Sequence, residues 1–196
     1  MKPKVIHILP HSPGPKSNIP NPDTDSSTNP EDYEHFVKTN KFPFWAGFFQ
    51  NDWHIRLGLE TLKRSEDYEI ECWRFYNSLD KVREKTISNI KHVLFPSYKT
   101  FFTHSEKSDE LKYRLLDELL NQKLIVIIHG LFAKNTENIL YFLRKYRIPI
   151  ILCHHGGKSR LEKFKEKNNI IRYILLIYER YLYKNSYFFF SSNRSQ

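Results

Sequence analysis

Residues 124–157 read LIVIIHGLFAKNTENILYFLRKYRIPIILCHHGG, and this stretch decides the fold class. Two short apolar runs, 124–129 and 148–154, flank a segment in which apolar residues recur at helical spacing. Apolar runs of this length are typical of strands that are buried on both faces, as in a parallel sheet. The stretch therefore predicts two parallel strands joined by a helix.

The same alternation of strands and helices extends along the rest of the chain. Further strands are predicted at Lys4–Leu9, Tyr68–Phe75, His92–Phe95 and Tyr187–Ser191. Helices are predicted from Asn51 or Asp52 to about Arg64, from Ser108 through SDELKYRLLDELLN, over Asn135–Tyr146, and from Asn168 to about Lys184. This order predicts an α/β fold of three layers, a Rossmann-like doubly wound parallel sheet that forms one domain over residues 1–196.

One segment does not fit the alternation. Residues 11–42 are rich in Pro, Ser, Asn and Asp over much of their length and offer little apolar surface to bury. Such a composition predicts a flexible loop that lies over one end of the sheet. Long loops at strand ends often close over ligands.

Composition limits the class of protein but does not name a function. The 196 residues suit one domain, and the formal charge of +9 favours anionic partners or, equally, a lysine-rich solvated surface. The only cysteines, Cys72 and Cys153, are expected to be free thiols, which indicates a reducing, cytoplasmic compartment. No signal peptide is recognised, and the apolar run at 170–178 is too short to span a bilayer.

The sequence lacks the motifs that are typical of several classes of enzyme. No G-x-G-x-x-G follows the first strand and no P-loop lysine pattern occurs, so dinucleotide and P-loop chemistry are disfavoured. No G-x-S-x-G occurs, and Cys153 precedes the strand end where a nucleophile would be presented. Neighbouring residues such as His154 and His155 point to opposite faces of a strand, so neither a metal site nor a cofactor is predicted.

Candidate binding residues follow the two most apolar strands. In an open parallel sheet, ligands bind outside the carboxyl ends of the strands, which is where His129 and Gly130 and the run of His154, His155 and Gly156 are expected. Imidazole can donate a hydrogen bond to a sugar hydroxyl or phosphate, and glycine permits close approach to the backbone. The alternative is that these histidines only satisfy local carbonyl groups.

Two aromatic or apolar segments have open interpretations. Residues 42–56 (FPFWAGFFQNDWHIR) include Gly47 and His54, and they form either an acceptor-binding wall or the hydrophobic entry of a helix. Residues 170–183 are apolar around most of a helical circumference, so this helix must be buried or must face a partner. If this helix normally packs on a second domain, the isolated chain is expected to self-associate.

In the order of its strands and strand ends, the chain resembles the N-terminal domain of the retaining GT-B glycosyltransferases grouped as family four. The resemblance is carried by KVIHILP, LIVIIHG, IPIILCHHGG, the long helix with Glu179 and Arg180, and YFFFSS. It implies an acceptor-binding half of an enzyme that transfers a sugar from a nucleotide-sugar donor to an acceptor sugar or lipid-linked saccharide. Peripheral contact with a membrane is a further expectation.

The resemblance also assigns roles to residues. It places His155 near the reaction centre as the catalytic group, with His154 in that place if the register shifts by one. His129 matches the second histidine of the family's H-x-H strand end, where Ile127 replaces the first, and His129, Gly130, His154 and Gly156 are the implied substrate-binding residues. Gly47 corresponds to a remnant of the glycine-rich turn, and His54 belongs to the adjacent aromatic segment.

The chain lacks the C-terminal domain that holds the nucleotide in this family, so the resemblance implies an enzyme half that is inactive alone. Glu110 and Glu118 have the spacing of the family's E-x7-E motif, but their place before the fourth strand indicates a solvated helical face. The alternatives are a non-enzymatic binding module for anionic lipid or nucleic acid, and half of a GT-B type epimerase.

Overall fold

A computed structural model describes residues 2–12, 23, 30–40, 53–77, 79–101, 105–121, 123–143, 146, 150–154, 169–184 and 186–190. The strands are β1 (Lys4–Leu9), β2 (Glu69–Tyr76), β3 (Arg83–Ile87), β4 (Ile90–Pro96), β5 (Tyr98–Lys99), β6 (Glu106–Lys107), β7 (Leu124–His129), β8 (Ile150–His154) and β9 (Ser186–Phe190). The helices are α1 (Pro30–Thr39), α2 (Trp53–Arg64), α3 (Asp109–Asn121), α4 (Lys134–Leu143) and α5 (Asn169–Tyr183).

The main sheet has the order β3-β4-β2-β1-β7-β8-β9. Every neighbouring pair is parallel except β3 and β4, which form an antiparallel hairpin at one edge. Without β3, the parallel strands follow the order 3-2-1-4-5-6 along the sheet, which is the doubly wound arrangement of Rossmann folds. The predicted fold class is therefore confirmed.

Helices cover both faces of the sheet. On one face, α2 packs over β1 and β2 and buries Ile55 against Val5, Ile70 and Cys72. On the other face, α3 and α4 and the C-terminal end of α5 share a larger core with the sheet, around the fully buried Trp73. Because side chains alternate between faces along each strand, these two cores come from alternate residues of the same strands.

Two predictions about local structure need correction. Helix α1 lies within residues 11–42, which were predicted as a loop; Pro30 suits the first turn of a helix, and Tyr33 and Phe36 on its apolar side are half-buried. Glu118 does not lie on a solvated face, because its carboxylate is 2.7 Å from the ammonium of Lys4 and is largely covered. Glu110 is exposed, as predicted.

A buried cluster of charged side chains joins β1, β2 and α3. Lys4 Nζ lies 2.9 Å from Glu71 Oε1, and the indole N–H of Trp73 donates to Glu71 Oε2 at 2.7 Å. Burial by itself lowers the pKa of Lys4, but the hydrogen bonds and charges of Glu118 and Glu71 outweigh it and raise the pKa. The charges are thus paired and hydrogen-bonded, as burial requires.

Both cysteines, Cys72 and Cys153, are free, as predicted, and both are buried. Among the described residues, no helix is long and apolar enough to cross a membrane.

Candidate ligand-binding site

In folds with this strand order, the ligand crevice lies at the carboxyl ends of the strands that correspond to β1 and β7. These neighbouring strands lie at the point where the winding of the sheet reverses, so the segments that follow them run toward opposite faces. His11 and Ser12 follow β1 at this edge, and Gly130 follows β7. Gly130 has φ +108°, a conformation that favours glycine, and it turns the chain toward α4.

Asn135, in the first turn of α4, connects the segments around this crevice. Its side-chain Nδ2 donates to the carbonyl oxygen of Pro10 at 2.7 Å and lies 3.2 Å from Nδ1 of His11. Its Oδ1 accepts a hydrogen bond from the backbone N–H of Glu106 at 2.8 Å. A carboxamide suits this position because it offers donors and an acceptor together.

His11 lies between the end of β1 and the turn at Gly130. It is half-buried, and a Cβ added to Gly130 would lie 3.4 Å from its Nε2. Burial lowers the pKa of His11; Glu106 opposes the shift and Arg74 adds to it. With Nδ1 accepting from Asn135, the neutral imidazole carries its proton on Nε2, beside the backbone of Gly130.

Two buried side chains of opposite charge flank His11. The Arg74 Nε–H donates to the carbonyl oxygen of His11 at 3.3 Å, and Glu106 Oε2 accepts from the backbone N–H of Ser12 at 2.9 Å. Ser12 Oγ also accepts from the N–H of Asn77 at 2.8 Å. The edge therefore combines a guanidinium, a carboxylate and an imidazole on a hydrogen-bonded frame.

His154 lies at the same edge of the sheet, at the end of β8. Its half-buried ring packs against Phe132 with 5.9 Å between ring centroids and an interplanar angle of 73°. Phe132 belongs to the turn after Gly130 and has φ 67°. The predicted residues Gly130 and His154 thus lie around the carboxyl edge, where ligands of this fold class bind.

His129 and His54 occupy a different position. Both are only 1% exposed. His54 is a residue of α2, and His129 and His7 lie beneath this helix, inside the protein rather than on an open surface. His7 Nδ1 is 3.3 Å from His129 Nε2, and the rings of His54 and His129 are 6.1 Å apart. Burial lowers the pKa of His54 well below its ordinary value, and Arg74 acts in the same direction, so its imidazole is neutral near pH 7.

His155, Gly156 and Gly47 lie outside the described residues. Within the described part, no group of three His, Cys, Asp or Glu side chains is placed to hold a metal ion.

Sequence reasoning missed four residues of the site: His11, Arg74, Glu106 and Asn135. They come from four separate segments, and no spacing between them signals a common site. A usable signal was the position of His11, which directly follows the Pro10 that ends the first apolar run. Polar residues after the first strand of an open parallel sheet face its ligand crevice.

No family model, no curated protein and no solved structure matches the chain. The fold and the crevice by themselves define the class: a Rossmann-like α/β protein with a polar site at the reversal point of its sheet.

Proposed function

We propose that this chain is the acceptor-binding half of a glycosyltransferase, which holds a sugar-bearing acceptor at the carboxyl edge of β1, β7 and β8. The observation that carries the proposal is the cluster of His11, Arg74, Glu106 and Asn135, which hydrogen bonds join at the carboxyl edge where the winding of the sheet reverses. Hydroxyl-rich ligands need donors and acceptors side by side, and this edge offers both.

Each group has a role in binding a saccharide. The Nε2–H of His11 donates to a hydroxyl or ring oxygen, and the Glu106 carboxylate accepts from a neighbouring hydroxyl. Phe132 and His154 provide ring surface against which the apolar face of a sugar ring packs. Arg74 keeps positive charge close to the site, which suits an acceptor that carries phosphate.

In the intact enzyme, an acceptor hydroxyl attacks the anomeric carbon of the donor as the bond to the nucleoside diphosphate breaks. The departing diphosphate needs electrostatic support, which the resemblance assigns to a separate C-terminal domain. This chain orients the acceptor, and by the resemblance His155 is the hydrogen-bond donor nearest the reaction centre. The buried free thiols of Cys72 and Cys153 support a cytoplasmic location.

Saccharide binding tests the proposal. Saturation-transfer NMR with methyl glycosides of glucose, mannose, galactose and N-acetylglucosamine should detect at least one ligand. Replacing His11→Ala should weaken that binding by about tenfold, because one hydrogen bond to the ligand is lost. The control His35→Ala changes an exposed histidine on α1 and should leave binding unchanged.

Four outcomes would contradict the proposal. Failure to bind any saccharide, or binding that His11→Ala does not alter, would remove the acceptor site. Robust transfer from UDP- or GDP-sugars by this chain alone would contradict an enzyme half. Salt-dependent binding of anionic vesicles or oligonucleotides without saccharide binding would instead support the non-enzymatic module.

A further inference from the structure

Helix α5 exposes an apolar stripe, which we call the α5 stripe, on the side that faces away from the domain. It consists of Ile170, Ile174, Ile177 and Tyr181, which are 68%, 59%, 51% and 47% exposed. The opposite side of the helix enters the core through Leu182 and Tyr183. The stripe is therefore a second apolar surface of the helix and not the one that folds the domain.

The spacing of the stripe is that of a helix–helix seam. Its members are four, three and four residues apart, which is the a/d pattern of a coiled coil. No charged residue occupies a position of the stripe between Ile170 and Tyr181. Such a seam is complementary to another copy of itself.

The exposed area suits a dimer. With the neighbouring Ile171 and Tyr173, which are 46% and 65% exposed, the exposed surface of these six residues amounts to roughly 700 Å² per chain, close to the ~800 Å² per partner of a stable interface.

We propose that two copies of this chain associate through their α5 stripes, with the helices antiparallel about a two-fold axis. The axis passes between Leu175 and Leu176, so Ile170 packs against the partner's Tyr181 and Ile174 against the partner's Ile177. On one flank, Tyr173 comes near the partner's Arg180, where an aromatic face and a guanidinium attract each other. The two copies of Arg180 stay apart.

The antiparallel direction follows from how α5 is anchored. Its C-terminal residues Leu182 and Tyr183 are buried in the domain, while residues 169–174 are all exposed. Parallel helices would bring the two domains together at the same end of the pair. Antiparallel helices lay the exposed half of one helix across the anchored half of the other, and both stripes are covered.

Sedimentation equilibrium between about 1 and 100 µM tests the dimer, and Ile174→Asp should weaken it by about 100-fold or more, because each copy then buries a carboxylate. Leu120→Asp is the matched control. Leu120 is 84% exposed and lies on α3, so this variant should leave the dimer intact. Both sites are exposed, so both variants should fold, which far-UV circular dichroism checks. A monomeric wild-type chain, or a dimer that Ile174→Asp does not weaken, would overturn the proposal.

Disulfide trapping tests whether the two α5 helices are antiparallel. The native Cys72 and Cys153 are buried and do not interfere. A mixture of Ile170→Cys and Tyr181→Cys chains should form a mixed disulfide. Ile170→Cys alone should not cross-link, because the two copies of residue 170 are about 16 Å apart along antiparallel helices. Efficient cross-linking of Ile170→Cys alone would show parallel helices and refute the arrangement.

Discussion

At the residue scale, two buried histidines have pKa values far below that of a histidine in water. His7 is fully buried, and burial lowers its pKa from 6.5 to about 4. The pKa of His92 is also lowered to about 4 by burial, although its hydrogen bond to the backbone of Ile87 raises the pKa. The unfolded chain therefore binds protons at these sites between pH 6.5 and 4, whereas the folded chain does not.

We predict that the free energy of unfolding falls as the pH is lowered from about 6.5 to 4. The unfolded state binds more protons in this window, so stability rises with pH, and His7 alone accounts for a loss on the order of 3 kcal/mol at the acid end. Urea denaturation at several pH values measures the slope, and His7→Gln should reduce it by about one proton. Val5→Ala, on the same face of β1, should lower stability equally at each pH; equal slopes for His7→Gln and wild type would refute the prediction.

At the scale of elements, the contact between α2 and the sheet depends on Gly58. A Cβ at this position would lie 3.3 Å from Cys72 Sγ, Ile70 Cγ2 and Ile90 Cδ1, closer than side chains normally pack. We predict that Gly58→Leu destabilises the fold by about 3 kcal/mol, because the helix must move off the sheet. In Gly58→Ala, the gain of about 1 kcal/mol in helix propensity offsets the tight contact.

Thermal or urea unfolding measures these changes. Lys63→Leu, on the exposed side of the same helix, is the control and should alter stability by less than about 1 kcal/mol. A Gly58→Leu variant as stable as wild type would show that α2 does not pack on the sheet at this distance.

At the scale of the whole molecule, the position of a strand in the sheet determines how strongly its amides are protected from hydrogen exchange. β1 and β7 lie at the centre and are paired on both sides, whereas β3 forms one edge and most of its residues are exposed. We predict that amides of β1 and β7 exchange hydrogen only through global unfolding, and that β3 exchanges orders of magnitude faster. Hydrogen-exchange mass spectrometry measures both, and equal protection of β3 and β1 would contradict this account of the sheet.

Much of the fold was predictable because its strands carry a strong local signal. β1 and β7 have the predicted bounds, Lys4–Leu9 and Leu124–His129, since each is an almost continuous apolar run. β3 (REKTI) was missed because an edge strand with charged, exposed side chains lacks that signal. Helix α1 was missed because the surrounding composition is that of a loop.

The sequence by itself determined the α/β class, the buried strands and the presence of Gly130 and His154 at strand ends, because hydrophobic periodicity and strand direction are local properties. Only the tertiary structure decided which strand lies beside which. That order brought His11, Arg74, Glu106 and Asn135 together from distant segments, and it placed His129 under α2 rather than on an open surface. Contacts between distant segments depend on the packing of the whole chain, and no short stretch of sequence encodes them.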